Sequence, residues 1–189
     1  VDIKKFELDT FPLVIAAPDI KTGLQILVQS YGVGPVRLNT ILLNWMEDAP
    51  QGMPGLNELI YSRNLRTAFR FGCNILILET KENALDVLMS VESEEKRMDI
   101  WWWETASCRM ALLTAYLMSR HDQWASAKIR VLAFQEMADK DSQVDKLEDY
   151  LNDVRIRAQP EILPGEGVDA IIEHSKDASI VFLPFHIRA

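Results

Sequence analysis

The sequence predicts an α/β protein in which parallel β-sheets are flanked by helices. Short apolar runs rich in β-branched residues alternate with amphipathic stretches of helical spacing, and this order of elements is typical of parallel sheets. The apolar runs are continuous rather than alternating, as in strands that are buried on both faces. Two successive series of elements also share one layout of strand, helix, turn, basic residue and strand.

The shared layout predicts two related halves. The first series covers residues 11–45 and the second covers residues 98–134, with Arg37 and Lys128 as the corresponding basic residues. The predicted organisation is a first half, a charged solvated linker and a second half, at residues 1–91, 92–97 and 98–189.

The first half contains three predicted strands, at residues 12–17, 39–45 and 74–80. Asp19 is suited to cap the helix that follows the first strand. The apolar face of that helix carries Ile20, Leu24, Leu27, Val28 and Tyr31. Residues 56–71 have helical spacing, with Gly72 as the stop and with one face formed by Tyr61, Leu65, Ala68 and Phe69. The other predicted elements are a turn, a loop and a short helix, at residues 32–35, 47–55 and 82–91.

The second half continues the alternation. Its predicted strands are residues 98–103, 127–134, 154–163 and 179–185, the third of them interrupted by Pro160. Its predicted helices are residues 107–120, 143–154 and 168–175. The second of these carries its apolar face on Val144, Leu147, Leu151 and Val154, and Ser142 and Asp145 have capping-box spacing before that face.

Three consecutive tryptophans end the strand at residues 98–103. In an extended strand Trp101 and Trp103 point to one face and Trp102 to the other. We therefore predict that all three are strand residues packed under helices or at the junction of the halves. Trp124 lies in a turn, which predicts an accessible ring and a contact in a dimer.

The composition limits the class of function. The chain of 189 residues has a net charge of −8 and a pI of about 4.9. An acidic protein lacks the cations that nucleic acid or an anionic lipid surface requires, so we expect neither partner through charge alone. Two separated cysteines, Cys73 and Cys108, favour a reducing compartment over a disulfide framework. No apolar run reaches the ~20 residues of a membrane helix, and no signal peptide is present. The chain opens on Val1 rather than Met, so we expect it to be a piece of a longer protein.

The strand-to-helix turns at residues 16–23 and 101–108 are the predicted location of any ligand site. Neither turn has a glycine-rich phosphate motif, and Asp19 and Glu104 occupy the helix starts, where a carboxylate would cap the helix and repel phosphate. The sequence therefore predicts no catalytic, cofactor-binding or metal-ligating residue and no cofactor.

Four further side chains are of types that occur in metal sites or as reactive thiols. His121, His174 and His186 are scattered, and no set of partner ligands accompanies them. Cys108 lies near a predicted helix start, where reactive thiols arise, but an apolar-rich helix favours a core role.

Several segments resemble the cytoplasmic C-terminal domain of cation-chloride cotransporters. They are "GPVRLNTILLNW", "MDIWWW", "MALLTAYLMSR", "HDQWASAKIRVLAF" and "IIEHSKDASIVFLPF". The resemblance covers most of residues 11–185, is most specific over 98–134 and is closest to prokaryotic members. The chain departs from the family pattern at Leu38, where proline is usual, and at Glu104, where a small residue is usual.

The resemblance implies a non-catalytic regulatory and dimerisation domain made of two tandem universal-stress-protein-like halves. It would form a homodimer on the cytosolic side of a transporter with about a dozen membrane helices. That membrane domain would be its covalent partner and would move Na⁺ or K⁺ together with Cl⁻ electroneutrally. Two alternatives stay open: a ligand- or nucleotide-binding module of the universal-stress type, and an enzyme of the doubly wound class.

Overall fold

The computed structural model describes most of the chain as two compact units. We call residues up to Glu79, together with residues 187–189, the N-terminal unit, and Thr80–His186 the C-terminal unit. The predicted division into halves at residues 92–97 stays a prediction. The described residues are 15–30, 39–45, 56–81, 83–135 and 140–187.

The N-terminal unit alternates helices and strands. Its elements are α1 (Ile20–Ser30), β1 (Thr40–Asn44), α2 (Leu56–Arg70) and β2 (Asn74–Leu78). The two strands pair in parallel, with Ile41 opposite Ile75. The predicted caps are confirmed: the Thr22 amide donates to Asp19 Oδ1 over 2.8 Å, and Gly72 ends α2 with a φ of 76°.

The buried centre of the N-terminal unit lies on one face of β1 and β2. Ile41, Ala68 and Cys73 are buried there, and partly buried apolar side chains of α1 and both strands pack around them, namely Leu24, Val28, Leu43 and Ile75. Phe69 is predicted on the same face of α2 as Ala68, but Ala68 is buried and Phe69 is exposed.

Several predictions for this unit concern residues outside the described ranges, and one predicted strand is not found. The first three residues of the strand predicted at 12–17 lie outside the described residues, and residues 15–17 are not in a strand. The turn at 32–35, the loop at 47–55, Tyr31 and Arg37 also lie outside the described residues.

The C-terminal unit contains a parallel four-stranded sheet in the order β5-β4-β3-β6. Its strands are β3 (Arg97–Trp101), β4 (Lys128–Phe134), β5 (Gln159–Leu163) and β6 (Ile180–Phe182). Its helices are α3 (Ala84–Ser90), α4 (Ala106–Met118), α5 (Lys140–Asp153) and α6 (Gly167–Ser175). Two short 3-10 turns, Ser93–Glu95 and Asp122–Trp124, precede β3 and β4. The predicted α/β fold with parallel sheets flanked by helices is confirmed.

Helices contact both faces of this sheet. Buried residues of α4 and α5 pack on one face against Met98, Ile100, Trp102, Ile129 and Val131. On the other face, α6 contacts Trp101 and Arg130. Because β3 is covered on both sides, four consecutive residues, 98–101, are buried.

Three local predictions for this unit are corrected. Of the charged run before β3, Glu92, Glu94 and Glu95 are exposed, but Lys96 is buried. Ser142 lies inside α5, so it does not form a capping box at the start of that helix. Pro160 lies within β5 rather than ending it, because β5 is an edge strand and a proline there needs no partner on its open side.

Across the described ranges, we find no helix that is both long enough and apolar enough to cross a bilayer.

Candidate functional site

The carboxyl edge of β3 and β6 is the candidate site, because the direction of strand addition reverses between these strands. The chain adds β4 and then β5 on one side of β3 and places β6 on the other side. In open parallel sheets, ligands bind in the crevice at such a switch point. The crevice is bordered by residues 102–108 after β3 and by residues 183–186 after β6.

In the turn that leads from β3 into α4, backbone amides donate hydrogen bonds to side chains of the same segment. The Thr105 side chain accepts from the Cys108 amide over 3.4 Å, and the Trp103 amide donates to Cys108 Sγ over 3.1 Å. Thr105 is therefore the cap, and the prediction that Glu104 caps this helix is wrong. Glu104 lies one residue earlier, exposed, with a φ of 53°. A positive φ is uncommon for a residue other than glycine, and here it occurs at the turn that leads into α4.

A hydrogen bond joins the two borders of the crevice. Ser107 Oγ donates to the Phe185 carbonyl over 3.0 Å. Trp103 and Phe185 remain exposed beside it, at 43% and 39%. Residues 102–108 contain no glycine, so every backbone amide there carries a side chain that hinders close approach of a phosphate. A hydrogen bond of the chain itself thus bridges the crevice.

A buried ion-pair cluster lies on the face of the sheet that α6 contacts. Arg130 binds Asp99 through two hydrogen bonds, from Nε over 2.9 Å and from one terminal nitrogen over 2.7 Å. The other terminal nitrogen donates to Glu161 over 3.1 Å, and Arg130 also donates to the His174 carbonyl over 3.0 Å. Asp99 is fully buried, and Arg97 Nε lies 3.3 Å from its Oδ1. The hydrogen bond to Asp99 raises the pKa of Arg130 above its ordinary value, although burial opposes this.

This cluster links three strands and one helix. Asp99 faces Arg130 across the β3–β4 pair, Glu161 lies on β5, and His174 lies on α6. Bidentate arginine–carboxylate geometry fixes distance and angle together, so the cluster fixes the strand register and the position of α6. Sequence analysis missed it, but charged residues at alternate positions of "RMDIW" and "KIRVL" were an available signal.

The tryptophans only partly follow their predicted positions. Trp101 is fully buried, with its Nε1 donating to Ser175 Oγ over 3.2 Å, and Trp102 packs against Tyr150 with ring centroids 5.1 Å apart. The prediction is confirmed for Trp101. Trp102 is buried as predicted, but it lies one residue after the end of β3. The prediction is wrong for Trp103, which also follows β3 and is exposed.

Trp124 is buried, so its predicted accessibility is wrong. Its ring lies 5.2 Å from Lys96 Nζ, which also donates to the Gln123 carbonyl over 3.0 Å. The buried lysine, which follows the first 3-10 turn, therefore contacts the second turn through the Gln123 carbonyl and the face of the Trp124 ring.

The three histidines lie apart from one another. The His121 ring accepts from the Gln123 amide over 3.3 Å, and one ring nitrogen of His174 lies 3.3 Å from the Pro164 carbonyl. His186 is exposed after β6. Within the described ranges, no three His, Cys, Asp or Glu side chains are grouped in a way that could hold a metal ion.

The two cysteines are buried thiols, one in each unit. Burial raises the pKa of the Cys73 thiol, which disfavours its reactive thiolate form. Cys108 lies in the main core cluster, and its sulfur contacts the Trp103 amide and the Thr105 hydroxyl. Its position agrees with the core interpretation.

Comparison with known proteins relates the chain to solute carriers. No protein-family model matches it. It is 23% identical over 207 residues to solute carrier family 12 member 3 of Mus musculus, an alignment that covers 98% of this chain and 20% of that relative. The corresponding human protein is 21% identical over 224 residues, covering 98% of this chain and 22% of the relative. The chain spans about a fifth of the length of these curated relatives.

Proposed function

We propose that the chain is a non-catalytic regulatory and dimerisation domain of an electroneutral cation-chloride cotransporter of prokaryotic type. In this proposal it lies on the cytoplasmic side of the membrane, and a membrane domain outside this chain moves Na⁺ or K⁺ together with Cl⁻. The observation that carries the proposal is the similarity of nearly the whole chain to about a fifth of a solute carrier. Both relatives support the family that the sequence motifs resemble.

The crevice geometry supports a non-catalytic role. At the β3–β6 switch point, Thr105 caps α4 and Ser107 bonds the opposite border. The cluster of opposite charges on the α6 face of the sheet is held together by Arg130, which donates its hydrogen bonds to Asp99 and Glu161. These groups hold the fold together, and an arginine paired in this way is not an acid or base at neutral pH.

The order of elements supports the tandem-halves part of the proposal. The N-terminal unit runs α1-β1-α2-β2, and the C-terminal unit contains the same run as α4-β4-α5-β5. In both runs the two strands pair in parallel. Two buried thiols agree with a reducing cytoplasmic location.

The first experiment is to determine the coding sequence upstream of Val1 and then express the intact protein with and without this segment. We expect a series of upstream apolar segments of about 20 residues each, which is the length of a membrane helix. We also expect that removing the segment changes transporter assembly and the regulation of chloride flux. A start codon shortly upstream, or a deletion that leaves assembly and flux unchanged, would contradict the proposal.

Calorimetric titration of the chain with ATP separates this proposal from a nucleotide-binding module. We expect no heat of binding at micromolar concentrations, since the turn at residues 102–108 lacks a phosphate cradle. A saturable micromolar binding isotherm would instead favour the module.

A further inference from the structure

Helices α4 and α5 border an open groove on the outer side of the C-terminal unit. The groove has a volume of about 290 Å³. Its apolar and aromatic lining includes Leu113 and Tyr116 from α4, Tyr150 from α5, and Val154 just after α5. An arginine also lines the groove on each side.

Helix α4 is apolar on its outer side as well as on its inner side. Its inner residues Cys108, Ala111, Leu112 and Ala115 are buried against the sheet. Its outer residues Leu113 and Leu117 are 45% and 60% exposed. Arg109 is the only charged residue in the helix. A helix that is apolar around most of its circumference normally has a second surface to bury against.

Helix α5 has the opposite character. It carries five acidic and two lysine residues. Asp149 and Asp153 are exposed and four residues apart, so they lie on one side of the helix, and Asp153 is three residues from Tyr150, which lines the groove. On the α4 side the exposed charges are Arg109 and, just after the helix, Arg120. Just after α5, Arg155 is an exposed positive charge on the other border of the groove. None of Asp149, Asp153, Arg109 and Arg120 forms an ion pair within the part of the chain that the structure describes.

The two helices together form a self-complementary surface. A two-fold axis through the groove would place the basic, apolar helix α4 of one protomer against the acidic helix α5 of the other, and the reverse contact follows by symmetry. A second copy supplies both helices at once, and the opposite charges would also select the orientation of the contact.

We propose that the α4–α5 surface, defined by Leu113, Leu117, Arg109, Asp149 and Asp153, is the surface through which two copies of this chain dimerise. The inference rests on the proposed dimerisation function and assigns that function to these residues. Leu113 and Leu117 form the apolar centre, and the charged residues form the polar rim that is usual at a protein interface.

The first test measures the dimer dissociation constant of the chain by analytical ultracentrifugation. The double variant Leu113→Asp and Leu117→Asp places charge in the apolar centre, and we expect it to weaken the dimer about a hundredfold or more. The matched control is Val168→Asp with Ile172→Asp, since both residues are similarly exposed on α6 of the same unit. We expect the control to leave the dissociation constant unchanged.

The second test uses charge reversal, which does not depend on the leucines. We expect Arg109→Glu with Arg120→Glu to weaken the dimer about tenfold or more. Adding Asp149→Lys and Asp153→Lys to that variant exchanges the two signs, and we expect much of the affinity to return. Recovery of affinity would show a specific contact rather than general damage to the fold.

The possible results separate the two levels of the proposal. A wild-type chain that is monomeric at every concentration overturns both the surface and the proposed dimerisation function. A wild-type dimer that both the leucine and the charge variants leave intact overturns the α4–α5 surface alone. If the leucine variant is unfolded by circular dichroism, the charge-reversal series decides, and failure to recover affinity there overturns the surface.

Discussion

Leu42 in the N-terminal unit and Leu132 in the C-terminal unit hold corresponding positions and have opposite environments. Each is the third residue in the parallel pairing of its unit, β1 with β2 and β4 with β5. Leu42 is 62% exposed, whereas Leu132 is fully buried. The residues before them, Ile41 and Val131, are both buried. The same local sequence pattern therefore gives the same strand but a different burial of its second face.

The difference comes from what covers that second face. In the C-terminal unit, Leu132 pairs with the buried Trp101 on a face that α6 contacts. The buried ion pair of Asp99 and Arg130 lies on the same face. In the described part of the N-terminal unit, apolar packing gathers on the face of Ile41. The comparison shows that an apolar strand is prepared for two-sided burial, but that a second layer of helix is needed to achieve it.

The largest expected effect is at the buried ion pair. Asp99→Ala leaves the partly buried Arg130 without its main partner, so we expect the free energy of unfolding to fall by up to about 3–5 kcal/mol. Urea denaturation followed by circular dichroism measures this. The control is Asp99→Leu with Arg130→Met, which removes both charges and which we expect to cost less than the single variant. An Asp99→Ala protein as stable as wild type would show that the cluster does not stabilise α6 on the sheet.

The second expected effect tests the comparison of the two leucines directly. We expect Leu132→Ala to lower the free energy of unfolding by about 2–5 kcal/mol, because it removes buried apolar surface and leaves a cavity. Leu42→Ala serves as the matched variant and should change it by only about 0.5 kcal/mol, as is usual for an exposed side chain. Equal losses would mean that Leu42 is buried in solution and that the two units do not differ in this way.

The third expected effect is that the stability of the N-terminal unit depends on pH. Burial raises the pKa of the Cys73 thiol above its ordinary value, so the folded unit holds its thiol proton more tightly than the unfolded chain does. Stability is therefore unaffected well below the unfolded pKa and falls as the pH rises through it. The slope cannot exceed about 1.4 kcal/mol per pH unit for one proton. Amide exchange in β1 and β2, corrected for the intrinsic rate, measures this dependence, and Cys73→Ala should reduce it. An unchanged slope in that variant would assign the dependence to another group.

The smallest expected effect on stability is at Trp103. Trp103→Phe should change the free energy of unfolding by no more than about 0.5 kcal/mol, since the side chain is exposed. Its fluorescence should be open to iodide quenching, as should that of Trp45, which is 47% exposed in the N-terminal unit. Replacing both should leave emission from the three buried tryptophans, with little quenching. Strong quenching in that double variant would show that Trp101, Trp102 or Trp124 is accessible.

Much of the C-terminal unit could be predicted from the sequence. Every strand and helix predicted after residue 97 has a counterpart, with ends shifted by a few residues. The errors fall where a distant segment decides the outcome. Lys96 can be buried because its ammonium group donates to the Gln123 carbonyl and lies over the Trp124 ring. Pro160 is tolerated because β5 lies at the edge of the sheet.

The candidate site could be located from the sequence but not described. Ligand turns follow parallel strands, so residues 101–108 were the right segment to examine. Which residue caps α4 could not be decided, because Glu104 and Thr105 are both able to cap and the choice depends on a single positive φ at Glu104. The bond from Ser107 to Phe185 joins residues 78 positions apart, and no local pattern predicts it.

By itself, the sequence determined the order of helices and strands, the caps at Asp19 and Gly72, and the parallel α/β class. These depend on apolar periodicity and on side-chain-to-backbone bonds that act within about one helical turn. Only the tertiary structure decided which faces are buried, which charges are paired, and that Trp101 is enclosed while Trp103 is exposed. The physical reason is that burial and ion pairing depend on the neighbours that strand register and helix packing bring together, and those neighbours come from segments far apart in the chain.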